Sequence, residues 1–201
     1  MHAAFEYYLF YKPFQTLTQF SPEEGKKTLA DYLKGLKKDV YPVGRLDYDS
    51  EGLLLLTNDK QLNHRLLNPL FLHEREYWAQ VEGLVTDTAL QQLSKGVRIQ
   101  VAGKAYQTRK AYAGLLPDTP VVPDRNPPIR VRQHIPTSWL SLCLVEGKNR
   151  QVRKMTAAVG LPTLRLIRYR IGSITMEGMQ PGDLVAAGPE MISRLFSRKY
   201  K

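Results

Sequence analysis

Three acidic side chains and an arginine stand directly before four consecutive leucines in VGRLDYDSEGLLLLTND, the segment from Val43 to Asp59. Arg45, two residues before Asp47, is placed as if an acid and a cation bracket one bound group. The paired acids of DYDSE also suit a metal-dependent nuclease. A structural interpretation stays open as well, in which Asp47 accepts backbone hydrogen bonds in a turn that leads into the strand.

Basic side chains cluster in two later segments. In NRQVRKMTAAVG, the residues Arg150, Arg153 and Lys154 share one face of a predicted helix, close to its start. The free amide groups at a helix N-terminus favour anions, so cations at this end oppose the helix dipole. The cluster therefore indicates a requirement other than helix stability. The next predicted strand, TLRLIRYRIG, carries three further arginines, Arg165, Arg168 and Arg170.

The composition favours a packed protein that binds nucleic acid. The 201 residues are 43% hydrophobic and 24% charged, and 29 Lys and Arg against 19 Asp and Glu leave a net charge of +10. A basic protein without a polyanionic ligand is the alternative. Cys143 is the single cysteine and the four histidines are scattered, so we expect neither a disulfide framework nor a metal site. No apolar run approaches the length of a spanning helix and no secretory signal is evident, so we expect a cytoplasmic protein without a membrane partner.

Hydrophobic patterns predict strands and helices around these polar residues. LLLLT predicts a strand buried on both faces, and EREYWAQVEG predicts a strand with Tyr77 and Trp78 on opposite sides. The segment 21–39, SPEEGKKTLADYLKGLKKD, predicts an amphipathic helix with Ser21 as its N-cap, and Asn149 is the predicted N-cap of the basic helix. No Rossmann fingerprint, P-loop or internal repeat is evident, so an α+β domain on a mixed or antiparallel sheet fits best. The remaining predicted strands are YYLFYKP and SWLSLCLVEG, and the remaining predicted helices are NDKQLNHRLLNP and TDTALQQLSKG.

A proline-rich segment, 114–136, interrupts this alternation. GLLPDTPVVPDRNPPIRVRQHIP contains six prolines, and proline is not tolerated in a helix interior or a central strand. We therefore expect a long irregular excursion, which inside a compact domain is usually either functional or disordered.

Several long motifs resemble those of the RsuA-type pseudouridine synthases, enzymes that convert uridine to pseudouridine in ribosomal RNA. GRLDYDSEGLLLLTND and EGKNRQVRKMTAAVGLPTLRLIRYRIG carry the resemblance, with FYKP and REYWAQVEG in the expected order. RNPPIRVRQHIPTSWL adds a likeness to the E-type large-subunit branch of that family. The resemblance covers most of the chain. It implies the pseudouridine synthase catalytic fold, a mixed and mainly antiparallel sheet with flanking helices and a central active-site cleft.

The resemblance also implies roles for individual residues. Asp47 matches the catalytic carboxylate, which attacks ribose or base or acts as a base at C2′, and Arg153 matches the arginine that pairs with it. Tyr77 matches the tyrosine that stacks on the target uracil. Arg45 matches a position that fills the space of the flipped base or binds a phosphate, and Leu166 is expected to line the uracil pocket. The expected phosphate contacts are Arg150, Lys154, Arg165 and Arg168.

The family reaction uses no metal and no organic cofactor, and the expected partner is 23S rRNA or a large-subunit precursor. Many family members have a small RNA-binding domain before the catalytic one, whereas YYLFYKP begins almost at Met1. We therefore expect residues 1–201 to form one catalytic domain of two α+β halves without an N-terminal S4-like domain. No self-complementary apolar stripe is evident, so a monomer is expected. The alternative is a non-catalytic RNA-binding or ribosome-assembly protein on the same fold.

Overall fold

The computed structural model describes residues 5–130, 132 and 134–196 of the chain. One nine-stranded sheet dominates it, and two pairs of short strands lie beside this sheet. The strands are β1 (Tyr7–Lys12), β2 (Thr16–Leu17), β3 (Lys27–Thr28), β4 (Tyr41–Pro42), β5 (Glu51–Thr57), β6 (Arg75–Glu82), β7 (Arg98–Val101), β8 (Lys104–Gln107), β9 (Tyr112–Leu116), β10 (Thr137–Leu144), β11 (Thr163–Ile171), β12 (Ile174–Thr175) and β13 (Leu184–Ala186). The helices are α1 (Lys60–Leu67), α2 (Asp87–Lys95), α3 (Gln151–Ala158) and α4 (Pro189–Ser193), with 3₁₀ turns at Leu29–Asp31, Pro69–Phe71 and Arg194–Phe196.

Two halves of the sheet meet where β5 pairs with β11. The strand order is β13-β1-β5-β11-β6-β10-β9, with β4 beside β5 and β12 beside β11. Among the described strands of this sheet, β5 and β11 run parallel and the other pairs are antiparallel. The parallel pair places Glu51 opposite Ile167 and Gly52 opposite Arg168. The predicted α+β class with a mixed, mainly antiparallel sheet is confirmed.

Strand β5 is buried on both faces, as its leucine run predicts. All seven of its residues are buried. Leu53 and Leu55 pack in one apolar cluster with the leucines of α1, whereas Leu54 and Leu56 pack in a second cluster on the other face. Each fully buried leucine contributes about 1.5–3 kcal/mol to stability. The polar loop before β5 is therefore attached at its end to a fully buried strand.

The amphipathic helix predicted over 21–39 is wrong. Gly25 and Gly35 have φ values of +72° and +82°, and a right-handed helix cannot continue through left-handed residues. A capping box forms at Thr28 rather than at Ser21, and it starts only a single 3₁₀ turn. The leucines of the segment pack against the face of the sheet that carries Leu54 and Leu56, so tertiary burial decides the local conformation.

The proline-rich segment is irregular from residue 117 onward. Strand β9 takes in the first three of its residues and pairs with β10 at the edge of the sheet. Two arginines fasten the irregular part to β11: Arg165 Nη2 donates to Pro123 O at 2.7 Å, and Arg125 Nη1 donates to Leu164 O at 3.4 Å. Residues 131 and 133 lie outside the described part of the chain. The excursion is thus held against the start of β11.

A hairpin formed by β7 and β8 was missed by the sequence analysis. The two strands pair around Ala102 and Gly103, whose φ values are +49° and +76°. Such a pair is typical of a two-residue type I′ turn. The alternation of Val97, Ile99 and Val101 before a glycine is the signal that predicts it. The hairpin stands outside the main sheet and forms one wall of the candidate active site.

Candidate active site

A cleft of about 490 Å³ opens where the loop before β5 meets β6 and β11. Its volume falls within the range of small-molecule sites. The loop before β5, the two strands and the loop before α3 are far apart in the sequence but together line it. The predicted site residues that line the cleft are Arg45, Asp47, Tyr77, Arg150, Leu166 and Arg168. The predicted site residues outside the lining are Arg153, Lys154 and Arg165.

Asp47 presents its carboxylate to the cleft, while its main chain forms the turn. The Asp47 carbonyl accepts a hydrogen bond from Ser50 N at 3.0 Å. The neighbouring Leu46 is fixed by two hydrogen bonds with the Thr18 hydroxyl, at 2.8 and 3.2 Å. The Asp47 side chain is 35% exposed. The backbone rather than the carboxylate therefore serves the turn, and the carboxylate is available to a ligand.

Arg150, rather than Arg153, approaches Asp47. Arg150 Nη1 lies 3.8 Å from Asp47 Oδ2, and its two Nη atoms each donate to the Asp49 carboxylate at 2.8 Å. Arg153 Nη2 donates to Asp49 O at 2.6 Å, and its Nε lies 3.4 Å from Asp49 Oδ2. The predicted direct pair between Arg153 and Asp47 is therefore wrong in this structure. Asp49 takes both arginines because its carboxylate matches the fork of Arg150 while its carbonyl accepts from Arg153.

Asp49 balances the cations at the start of α3. Burial raises the pKa of Asp49, but the hydrogen bonds from Arg150 and the charge of Arg153 outweigh burial and hold that pKa below its usual range. The Asp49 carboxylate offsets the positive charges of Arg150 and Arg153, so α3 can begin next to these two arginines. The predicted N-cap at Asn149 is wrong, since Arg150, with φ +53°, is the residue directly before the helix.

Tyr77 and Leu166 give the cleft an apolar wall. They lie on the neighbouring strands β6 and β11, and both line the cleft. Leu166 is buried in an apolar cluster, and the half-buried ring of Tyr77 packs against the same cluster. An aromatic face next to a leucine is suited to a flat ring such as a nucleobase.

Arg165 and Arg168 lie inside the sheet, 6% and 3% exposed. Arg165 donates from Nε and Nη2 to the two Glu51 carboxylate oxygens, each at 2.9 Å. Arg168 Nε donates to Leu53 O at 2.7 Å. Burial with such partners argues against contacts to an RNA backbone, and the phosphate contacts of these two arginines stay a prediction.

A buried glutamate fastens the β7–β8 hairpin to the loop before α3. Glu146 accepts hydrogen bonds from Tyr106 Oη at 2.6 Å, Arg109 N at 3.0 Å and Gln151 Nε2 at 2.6 Å. Tyr106, Arg109 and Lys148 all line the cleft. The sequence analysis missed this wall because Tyr106 and Glu146 are 40 residues apart and no local pattern links them.

Lys12 is buried beside the loop before β5. Its ammonium group donates to Pro13 O at 2.9 Å and Thr16 O at 2.7 Å. Burial lowers the pKa of Lys12 to about 7, against the opposing charges of Glu51 and Asp49.

Replacing Lys12 with methionine should remove a pH dependence of stability. The folded protein releases this proton near pH 7, whereas the unfolded chain holds it to about pH 10. Because the unfolded state binds more protons between these values, the free energy of unfolding of the wild type should rise with pH across this window, and this increment is lost as pH falls through 7. Urea unfolding of both proteins at several pH values measures the difference. Lys38→Met, at an exposed lysine, should keep the wild-type profile. Parallel profiles for wild type and Lys12→Met would contradict the shift.

The chain was compared with known protein families and structures. The family model for RNA pseudouridylate synthase matches residues 6–158. The chain belongs to this family. The matched range contains Asp47, Tyr77 and the whole of α3.

Curated pseudouridine synthases match most of the chain. A ribosomal large subunit pseudouridine synthase E of Vibrio parahaemolyticus is 48% identical over 175 residues, which cover 87% of this chain and 71% of that protein. One of Xanthomonas axonopodis pv. citri is 48% identical over 177 residues, covering 87% and 90%. A crystal structure of a pseudouridylate synthase, at 24% identity, has a TM-score of 0.77 and covers 96% of this chain and 74% of that one. The predicted family, its E-type likeness and the pseudouridine synthase fold are confirmed.

Two further features of this pseudouridylate synthase concern membranes and metals. Within residues 5–130, 132 and 134–196, no helix is both long and apolar enough to cross a membrane. The same residues contain no group of three or more His, Cys, Asp or Glu side chains placed to hold a metal ion.

Proposed function

We propose that this pseudouridylate synthase isomerises uridine to pseudouridine in 23S ribosomal RNA. The observation that carries the proposal is the cleft that the partly exposed carboxylate of Asp47 and the ring of Tyr77 line together, with Arg150 Nη1 3.8 Å from Asp47 Oδ2. The curated relatives from Vibrio and Xanthomonas are named as large-subunit enzymes, which supports 23S rRNA as the substrate.

Asp47 is the group assigned to the chemistry. The isomerisation breaks the bond between N1 of uracil and C1′ of ribose, turns the base and joins C1′ to C5. The hydrogen on C5 then leaves as a proton, and N1 takes up a proton in turn. A carboxylate oxygen of Asp47 can attack ribose or base, or take the proton at C2′, from the same position in the cleft. The positive charge of Arg150 beside it stabilises a carboxylate there.

Tyr77, Leu166 and Arg45 are assigned to the base. The target uridine must leave its stack to reach Asp47, which costs a few kcal/mol, about what base flipping costs in general. Stacking on the ring of Tyr77 returns about 1–3 kcal/mol, and Leu166 completes the apolar wall. Arg45 is exposed at the rim, where its side chain can fill the space that the base leaves or contact a phosphate.

Lys154 is the clearest candidate for a phosphate contact, because it is partly exposed on α3 beside the residues that hold Asp49. Lys154→Ala should weaken binding to RNA of any sequence. It should also reduce the slope of log affinity against log salt by about one. Fluorescence anisotropy over a salt series measures both. Lys38→Ala is the matched control, since the adjacent Asp39 contacts Asn58 at the far end of β5. Equal slopes for Lys154→Ala and wild type would remove Lys154 from the interface.

Residues 1–201 act as one catalytic domain and as a monomer, in the cytoplasm where ribosomal RNA is made, and without a metal or organic cofactor. The substrate is 23S rRNA, either free or in a large-subunit precursor.

Tritium release tests the reaction directly. 23S rRNA is transcribed with uridine tritiated at C5, because forming the new bond to C5 must expel that atom. Release from free RNA or from precursor particles supports the proposal. No release from either would overturn it in favour of a non-catalytic RNA-binding protein.

A further inference from the structure

Tyr77 and Arg168 are direct neighbours across the β6–β11 pair. The antiparallel register places them opposite each other, so their side chains leave the same face of the sheet at close range. Both line the cleft. Tyr77 is half-buried, whereas Arg168 is 3% exposed. The guanidinium is therefore more deeply buried than the ring beside it.

In the Arg168 guanidinium, Nε has a hydrogen-bond acceptor within the described part of the chain and the buried Nη2 has none. Nε donates to Leu53 O of β5 at 2.7 Å. Among the described residues, buried Nη2 has no hydrogen-bond partner. A buried charged donor without an acceptor costs about 1–3 kcal/mol or more. The other buried arginines of β11 do not leave such a gap at the cleft, since Arg165 and Arg170 are held by carboxylates.

The Tyr77 phenol is close enough to the Arg168 guanidinium to interact with it. Burial lowers the pKa of Arg168, and the nearby phenol opposes that shift while the charge of Arg75 adds to it. A phenol oxygen accepts hydrogen bonds as well as donating one.

We propose that Arg168 is a positioning residue for Tyr77, whose Nη2 donates a hydrogen bond to the Tyr77 hydroxyl when a base stacks on the ring. The bond sets the angle of the ring against the flipped base. It also directs the O–H of Tyr77 away from Arg168 and into the cleft. The inference rests on the proposed function, since it names what orients the stacking residue of that same site.

A double-mutant cycle tests the pair. Arg168→Lys keeps a cation that can reach Leu53 O but loses the second donor, and Tyr77→Phe keeps the ring but loses the acceptor. Each change alone should lower kcat on tritiated 23S rRNA by about 10- to 100-fold, the range expected when a reacting group is displaced by roughly 1 Å. KM should change less than about threefold, because the ring still stacks. In the Tyr77→Phe background, Arg168→Lys should have less than about a threefold further effect.

Tyr169→Phe is the matched control, because it removes a hydroxyl from the residue beside Arg168 whose ring stacks on Trp78 instead. It should keep wild-type kcat within about a factor of two, and its effect should add to that of Arg168→Lys. Thermal unfolding of all variants separates positioning from stability. Additive losses from Arg168→Lys and Tyr77→Phe would overturn the proposal. Full activity of Tyr77→Phe would also overturn it, and this second test does not require that Arg168→Lys folds.

A crystal structure with bound RNA supplies a test that does not depend on turnover. Nη2 of Arg168 should lie within about 3.2 Å of the Tyr77 hydroxyl oxygen. A uracil carbonyl or a water bound to Nη2 instead would overturn the inference. Absence of tritium release by the wild type would count against the proposed function, whereas this distance would still decide the role of Arg168.

Discussion

Asp47→Asn is expected to abolish tritium release from 23S rRNA while leaving RNA affinity within about a factor of three, because one neutral amide for one acid changes few contacts. Asparagine keeps the size of the side chain but can neither form an ester to the substrate through an ionised oxygen nor act as the base. The loss should be roughly 10⁴-fold or more, as for other enzymes that lose the reacting group. The main-chain bond from Ser50 N to the Asp47 carbonyl is unaffected, so the turn should persist and thermal stability should change little.

Asp49→Asn is the control that identifies which acid reacts. Asp49 is two residues away in the same loop, but it holds Arg150 and Arg153 and is not among the residues that line the cleft. We expect a partial loss, about 10-fold, through a displaced loop. Near-normal release by Asp47→Asn, or a complete loss only in Asp49→Asn, would transfer the chemistry to Asp49.

Glu51→Ala is expected to lower the free energy of unfolding by about 3–5 kcal/mol, the cost of leaving one member of a buried ion pair without its partner. Glu51 and Arg165 are joined by two hydrogen bonds of 2.9 Å, and their side chains are 2% and 7% exposed. For a chain of this length the melting temperature should fall by roughly 10 °C or more. Urea unfolding followed by circular dichroism measures the change.

A surface pair supplies the contrast. Glu82 lies 3.1 Å from Arg132, whose side chain is 60% exposed, so Glu82→Ala should cost less than about 1 kcal/mol. The combination Glu51→Leu with Arg165→Met removes both charges and should recover much of the loss. A Glu51→Ala protein as stable as Glu82→Ala would show that solvent reaches Arg165.

Elements with a strong local pattern were predictable. The seven buried residues of β5, the capped helix α1 and the alternation that sends Tyr77 into the cleft are all consequences of side-chain spacing along a few residues. The helix predicted over 21–39 failed because its leucines pack on the sheet while two left-handed glycines interrupt it. The sequences of α1 and of segment 21–39 are both amphipathic. Only contact with the rest of the fold decides which of them forms a helix.

The site was predictable where one residue carries a motif and unpredictable where partners are chosen at long range. Motifs placed Asp47, Tyr77 and Leu166 in one cleft. Nothing near Arg150 or Arg153 in the sequence shows that both bind Asp49, since more than a hundred residues separate Arg150 from it. The same holds for Arg165 and Arg168 of β11, whose spacing resembles a surface stripe although both have acceptors on β5.

The junction of β5 with β11 has a consequence for synthesis of the protein. The polar contacts that complete the cleft join residues separated by 101 to 115 positions in the chain. A growing chain that has passed Asp47 and Tyr77 still lacks the cation, the leucine and the arginine that arrive with α3 and β11. A nascent chain that ends before α3 and β11 therefore has no complete cleft, and we expect it to be inactive on the ribosomal RNA around it.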